Sequence, residues 1–157
     1  MIITEIPGNL ENLPDGGSER TIDWVEFDNE TRLKRVQRAR ANSGAEVALR
    51  FSSDFTELKD GDVLYDDGEK LFVVKIKPTD VLVITPASVQ EALRVAHTLG
   101  NRHLQAQFFG TDSQFGAEVM VVRYDHTVEH HLDHVGVSYE RTEHVMPEAF
   151  RHAEHTH

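Results

Sequence analysis

Residues 89–104 read VQEALRVAHTLGNRHL. Val89, Ala92, Leu93, Ala96 and Leu99 recur at three- and four-residue spacing, the period of a helix with one apolar face. Gly100 follows the last apolar position. A helix is expected to stop there, because glycine accepts the left-handed backbone that commonly follows a last turn. His103 then leaves the helix end at one defined place and enters an extended segment. A histidine fixed this way, in a chain with nine others, is a candidate metal ligand whose weight depends on the rest.

Working outward, Val81–Thr85 reads as a strand, with Thr85 and Pro86 suited to the N-cap and first helical position of a helix over 87–99. Strand signals follow around residues 103–109 and 118–124. Asp125 can cap a second helix, whose Val128, Leu132 and Val135 form an apolar stripe ending at Gly136, and 137–145 closes as a last strand. The order β-α-β-β-α-β is the ferredoxin-like split arrangement. Before Lys77-Pro78-Thr79-Asp80 the rhythm is one of short strands. Gly8–Arg20 suits a mobile loop, Asn42-Ser43-Gly44 turns into a strand over 45–51, and Asp66-Asp67-Gly68 is a hairpin signal between Val63–Tyr65 and Leu71–Ile76. The expected class is therefore α+β, with a small all-β domain over 1–77 and a ferredoxin-like βαββαβ domain over 78–146. A flexible histidine-containing tail is expected over 147–157.

Charge and composition exclude several functions. Twenty-seven acidic residues against 16 basic ones give a formal net charge of −11, so no nucleic-acid partner is expected, since phosphates need a basic footprint. The absence of cysteine removes disulfides, thiolate catalysis and iron–sulfur or thiolate zinc sites. No apolar run approaches the roughly 20 residues a membrane span needs, and the N-terminus lacks signal-peptide character, so a cytoplasmic location is expected. There is no phosphate-binding G-x-x-x-x-G-K-[ST] loop and no His-Glu-x-x-His, so neither nucleotide hydrolysis of that type nor a metal-dependent hydrolase is expected. Arg32, Lys34, Arg35, Arg38 and Arg40 crowd nine residues. They form either a solvated strand face or a patch that docks an acidic partner.

None of the ten histidines precedes residue 97. His126, His130 and His134, spaced by four, fall opposite the apolar stripe of the second helix and are expected to face water. Two imidazoles at that spacing can share a metal ion. His131 flanks the stripe and His97 the first helix, where packing is the simpler role. His152, His155 and His157 lie in the last six residues, with nothing apolar enough to pack after Phe150, as mobile ligands would. Nitrogen and oxygen donors alone suit Ni(II), Cu(II), Zn(II) or Co(II). One His103 per chain makes a weak site; a two-fold dimer that brings two copies together, with tail histidines completing the shell, makes a tighter one. Ligation needs neutral imidazole, whose free form titrates near ~6.5, so affinity should fall in acid.

Leu99-Gly100-Asn101-Arg102-His103 resembles the Gly-Asn-Arg/Lys-His motif of the UreE family of urease accessory proteins, which are nickel metallochaperones. Tyr124-Asp125-His126 before a helix and the histidine-containing C-terminus also look like that family. The resemblance implies an N-terminal peptide- or partner-binding β domain and a C-terminal ferredoxin-like domain that dimerises and binds metal. It implies a homodimer that carries Ni2+, with Zn2+ or Cu2+ able to take its place, to the urease activation complex, and a urease accessory GTPase as direct partner. By position His103 matches the interface ligand, His152, His155 and His157 the tail ligands, and His126 a peripheral metal position of some members. Tyr124 and Asp125 stand where a second peripheral histidine is sometimes found. No catalytic turnover is implied. The rival readings are a peptide-binding or co-chaperone module, and a zinc- or copper-binding protein without nickel delivery.

Overall fold

The computed structural model describes residues 1–151. In chain order its strands and α-helices are β1 (Ile2–Ile3), β2 (Gly8–Asn9), β3 (Thr21–Phe27), β4 (Val36–Arg40), β5 (Glu46–Arg50), β6 (Asp62–Asp66), β7 (Lys70–Ile76), β8 (Thr79–Ile84), α1 (Val89–Asn101), β9 (Ala106–Phe109), β10 (Val119–Arg123), α2 (His126–Val135) and β11 (Tyr139–His144). The mixed α+β class expected from sequence is what the chain adopts. The described residues form two compact units, Met1–Pro78 with Val145–Ala149, and Thr79–His144 with Phe150 and Arg151.

The first unit carries two sheets, ordered β1-β5-β4 and β2-β6-β7-β3. Alternation in β5 puts Val47 and Leu49 inward and Glu46 and Arg50 outward. Both sheets feed one core, in which Ile3 and Leu49 meet Phe27, Val74 and Ile76. The Asp66–Gly68 hairpin joins β6 to β7 as expected, with Gly68 at φ 89°, a value only glycine takes freely. Gly8–Arg20 is not the structureless loop its composition suggested. It contains β2, paired with β6, and a 3₁₀ turn at Leu10–Asn12, and Gly17 sits where an added Cβ would lie 2.9 Å from Leu10 Cδ2. Short polar segments are unreadable by periodicity when their order comes from such long-range pairing.

In the second unit the order of elements is β-α-β-β-α-β and the sheet runs β11-β8-β10-β9, antiparallel throughout. Leu82, Ile84, Met120 and Val122 point from the sheet into a core with Val95 and Leu99 of α1 and Val128 and Leu132 of α2. Val135, the third residue of the expected α2 stripe, is exposed, because α2 ends there and Gly136 turns the chain away at φ 77°. Helix α1 begins at Val89 rather than Ala87. Ser88, not Thr85, is its N-cap: the Ser88 hydroxyl accepts from the Glu91 N–H, and Glu91 reaches back to the Ala87 N–H at 2.8 Å. This is a variant of the reciprocal Ser-x-x-Glu cap, and it outcompetes a proline start three residues earlier.

Candidate metal centre

The end of α1 is the local feature that places His103. The helix continues through Gly100 to Asn101, so Gly100 is not its terminator. The left-handed position is His103 itself, at φ 58°, the one non-glycine residue with positive φ among the described residues. Two bonds close the helix around it: His103 N–H donates to Gly100 O at 3.0 Å and Leu104 N–H to Leu99 O at 3.4 Å. This is a Schellman motif, with His103 where glycine normally stands. Its apolar contact fixes the register, because Leu104 packs into the core that buries Leu99. Asn101, the residue that a stop at Gly100 would have required in that role, is polar and exposed.

The cost falls on the histidine. A left-handed backbone is about 1–2 kcal/mol unfavourable for an L-residue with a Cβ, although histidine tolerates it better than most. In return the imidazole is exposed beyond the carbonyl end of a 13-residue helix. The helix dipole there favours a cation by roughly 0.3–1 kcal/mol.

His103 opens onto a cavity of about 290 Å3 that also touches Gln105, Arg123, Tyr124, Asp125 and Arg151. Tyr124 is set by Arg141, whose Cζ lies 3.5 Å from the ring centroid and whose guanidinium forks onto Asp80 at 3.1 and 2.8 Å. That guanidinium holds the Asp80 carboxyl below the usual carboxylate range. Asp125 is the α2 N-cap, its Oδ1 accepting from the N–H groups of Thr127 and Val128 at 2.8 and 3.4 Å. The Thr127 hydroxyl and backbone hydrogen bonds depress its pKa. The cavity therefore holds one imidazole and one fixed carboxylate.

The other histidines lie elsewhere. His126, His130 and His134 are exposed on α2, and His97 is exposed with its ring 3.4 Å from Asn101 Nδ2. His131 and His134 reach a groove of about 550 Å3 shared with Glu91, Arg94 and Thr98 of α1. His144 lies edge-on to Phe115. Among the described residues no three histidines, aspartates or glutamates are grouped so as to hold a metal. His152, His155 and His157 lie outside the described residues.

Arg32 corrects the sequence reading of a basic patch. It is 1 % exposed, and its guanidinium is spent on Leu58 O, Met146 O and Pro147 O and on the Glu57 carboxylate. Burial lowers its pKa against the pull of Glu57. Spacing along β4 gave no sign of this, because Arg32 precedes the strand in a 3₁₀ turn. Lys34, Arg35, Arg38 and Arg40 remain exposed, Arg40 being paired with Glu46.

A β-rich unit followed by a βαββαβ unit, with an exposed histidine fixed at the C-terminal end of its first helix, defines a two-part α+β protein. Comparison with known proteins gives that architecture a family. Residues 3–77 match the model of the UreE urease accessory protein N-terminal domain, and residues 79–157 that of the C-terminal domain. The chain is 53% identical over its whole length to the urease accessory protein UreE of Corynebacterium urealyticum. It is 49% identical to that of Paenarthrobacter aurescens and 46% to that of Micrococcus luteus, with both chains fully covered in each case. The chain belongs to the UreE family of urease accessory proteins. The family name describes an accessory protein rather than a catalyst. No helix among the described residues is long and apolar enough to cross a membrane.

Proposed function

We propose that this chain is a homodimeric nickel carrier that delivers Ni2+ for assembly of the urease metallocentre. His103 from each of two copies anchors the ion. His152, His155 and His157 supply further donors, and His126 is a peripheral one. The observation that carries this reading is the left-handed His103, since a strained, exposed histidine in a glycine position implies that the imidazole is needed there. A single imidazole calls for a second source of ligands. A surface suited to a second copy lies on the same helix, where Val89 and Leu93 are 78% and 66% exposed, and Phe108 on the edge strand β9 is 69% exposed. Nitrogen donors suit Ni2+, Zn2+ and Cu2+ alike, so selectivity rests on geometry and supply.

Residues 1–77 form the partner-binding domain in this reading, and 78–146 the metal-binding and dimerisation domain. On the open face of the β1-β5-β4 sheet, Ile2 and Val36 are exposed among Arg38 and Arg50, a surface suited to an acidic partner. The accessory GTPase and the urease activation complex are the partners proposed, in the cytoplasm. Nickel titration by calorimetry tests the core of the proposal, with the mass of each sample recorded. Tight binding near one ion per dimer, lost in a folded His103→Ala protein, is the expected result. Unchanged affinity in that variant would move the metal to other histidines and overturn the shared site.

A further inference from the structure

Helix α2 divides its polar residues between two flanks. At about 100° per residue, Glu129 and Asp133 fall on one side of the buried Val128 and Leu132, and His131 and His134 on the other. The acids are engaged within the fold, because the Tyr139 hydroxyl lies 2.5 Å from Asp133 Oδ1 and 3.3 Å from Glu129 Oε2. The imidazoles are not. With Arg94 of α1 they border the groove of about 550 Å3 between the two helices, and none of these three side chains makes a hydrogen bond or ion pair among the described residues. The carboxylate of the groove, Glu91, is turned to the start of α1, where it accepts from the Ala87 N–H at 2.8 Å. In a chain of 27 acidic and 16 basic residues, Arg20, Arg40 and Arg141 each pair with an acid. Arg94 has none, although acids outnumber bases.

The chemistry of the groove selects its occupant. Arg94 presents a planar fork that matches a carboxylate. Each imidazole offers at least one N–H, whether neutral or protonated. Val95 and Val135 put apolar surface between these donors. A small free anion is a poor fit, since Arg94 and His134 are exposed and an exposed charge contact by itself is worth little in water. A polypeptide segment fits better, because it brings several carboxylates on one chain and an apolar side chain for the valines. The site is also separate from the surface assigned above to a second copy. Helical spacing sets Arg94 roughly 100–140° around α1 from Leu93 and Val89, so one helix can hold a second copy and a partner at once.

We propose that the groove between α1 and α2 docks an acidic segment of a partner protein, whose carboxylates are received by Arg94, His131 and His134. The contact is charge-complementary, and it gives the second unit an interaction surface of its own. It does not depend on a bound metal.

The probe is a labelled Glu-Glu-Leu-Glu-Glu-Leu peptide, and its control the same peptide with Gln for Glu. Both are titrated onto the full chain in chelator and followed by fluorescence anisotropy. Affinity for the acidic peptide should fall about tenfold in Arg94→Glu, where repulsion replaces an exposed pair, and about threefold in a His131→Ala, His134→Ala double variant. Arg94 is exposed, so its charge reversal leaves the core of the unit untouched. The Gln peptide should bind about tenfold more weakly, and NMR amide shifts on adding the acidic peptide should map to α1 and α2. A loss in Arg38→Glu with none in Arg94→Glu would place acidic segments on the β1-β5-β4 face, overturning this site while the partner surface proposed for the first unit stands. Equal binding of the Gln peptide would make the groove a merely apolar surface, and full competition by inorganic phosphate a simple anion site; either overturns the proposal. A lower mass for Arg94→Glu in sedimentation would show that a second copy fills the groove, with the same consequence. No binding of the acidic peptide to the native protein would overturn it outright.

Discussion

Replacing His103 by glycine should make the metal-free protein more stable while removing its metal anchor. The left-handed backbone at φ 58° costs a residue with a Cβ about 1–2 kcal/mol, and glycine nothing. Glycine gains more freedom in the unfolded chain, which takes back about 0.4–1 kcal/mol. The exposed imidazole contributes little packing to offset the rest. The net expectation is a gain of roughly 0.5–1 kcal/mol, or about 2–5 °C in melting temperature for a chain or unit of this size. His103→Ala keeps the strained backbone and should gain nothing. Thermal unfolding by circular dichroism, in chelator and at one fixed protein concentration, should therefore rank glycine above histidine and alanine, while calorimetry finds both variants equally deficient for Ni2+. A His103→Gly protein no more stable than His103→Ala would refute the argument, because the left-handed conformation would then not be what the folded chain maintains in solution.

Leu93→Glu should lower the mass of the protein in sedimentation toward the monomer without unfolding it, since the side chain is 66% exposed in a single chain; an unchanged mass would place the second copy elsewhere. Asp125→Ala removes the α2 N-cap and should cost about 1 kcal/mol in denaturant unfolding. The Asp80 and Asp125 carboxyls titrate below their ordinary value of 3.8, so their stabilisation is complete above that value and is lost as pH falls through the lowered folded-state pKa values. Melting temperatures recorded from pH 5 downward should therefore drop below about pH 4, and Arg141→Ala should flatten part of that drop. Leu132→Ala, at a fully buried position of α2, should cost about 2–5 kcal/mol, read as a lower denaturant midpoint.

The second unit was legible because its elements declare themselves locally. Leu99 on α1 and Val128 and Leu132 on α2 are buried where helical spacing places them, and Asp125 and Gly136 punctuate α2, although Val89 and Leu93 of the expected α1 stripe are exposed and Val95 is buried in their stead. The end of α1 was misread because glycine is the usual left-handed residue, whereas the register here is decided by Leu104 meeting Leu99, a tertiary contact that periodicity does not encode. Arg32 was misread for the same reason. Its partners Met146 and Pro147 lie 114 and 115 residues away, and a local run of positive charge looks alike whether it is solvated or buried. His103 stood out from its place after a helix, but its left-handed backbone could not be read from residue types, because every local rule assigns that conformation to glycine. Sequence also gave no hint that His131 and His134 would share a groove with Glu91 of the other helix.

Strand β8 opens the second unit in sequence, yet it lies inside the sheet, flanked by β10 and β11. During synthesis it emerges before either neighbour exists, and its buried Val81, Leu82 and Ile84 must wait for residues 119–144. The first unit waits longer still, since the Arg32 donors find their acceptors only when residues 146 and 147 have been added. Both units are thus completed only once residues 119–147 have been added. A nascent chain carries two unfinished units until those residues emerge, and a premature stop before residue 139 deprives both of their closing contacts together rather than sparing the half already made.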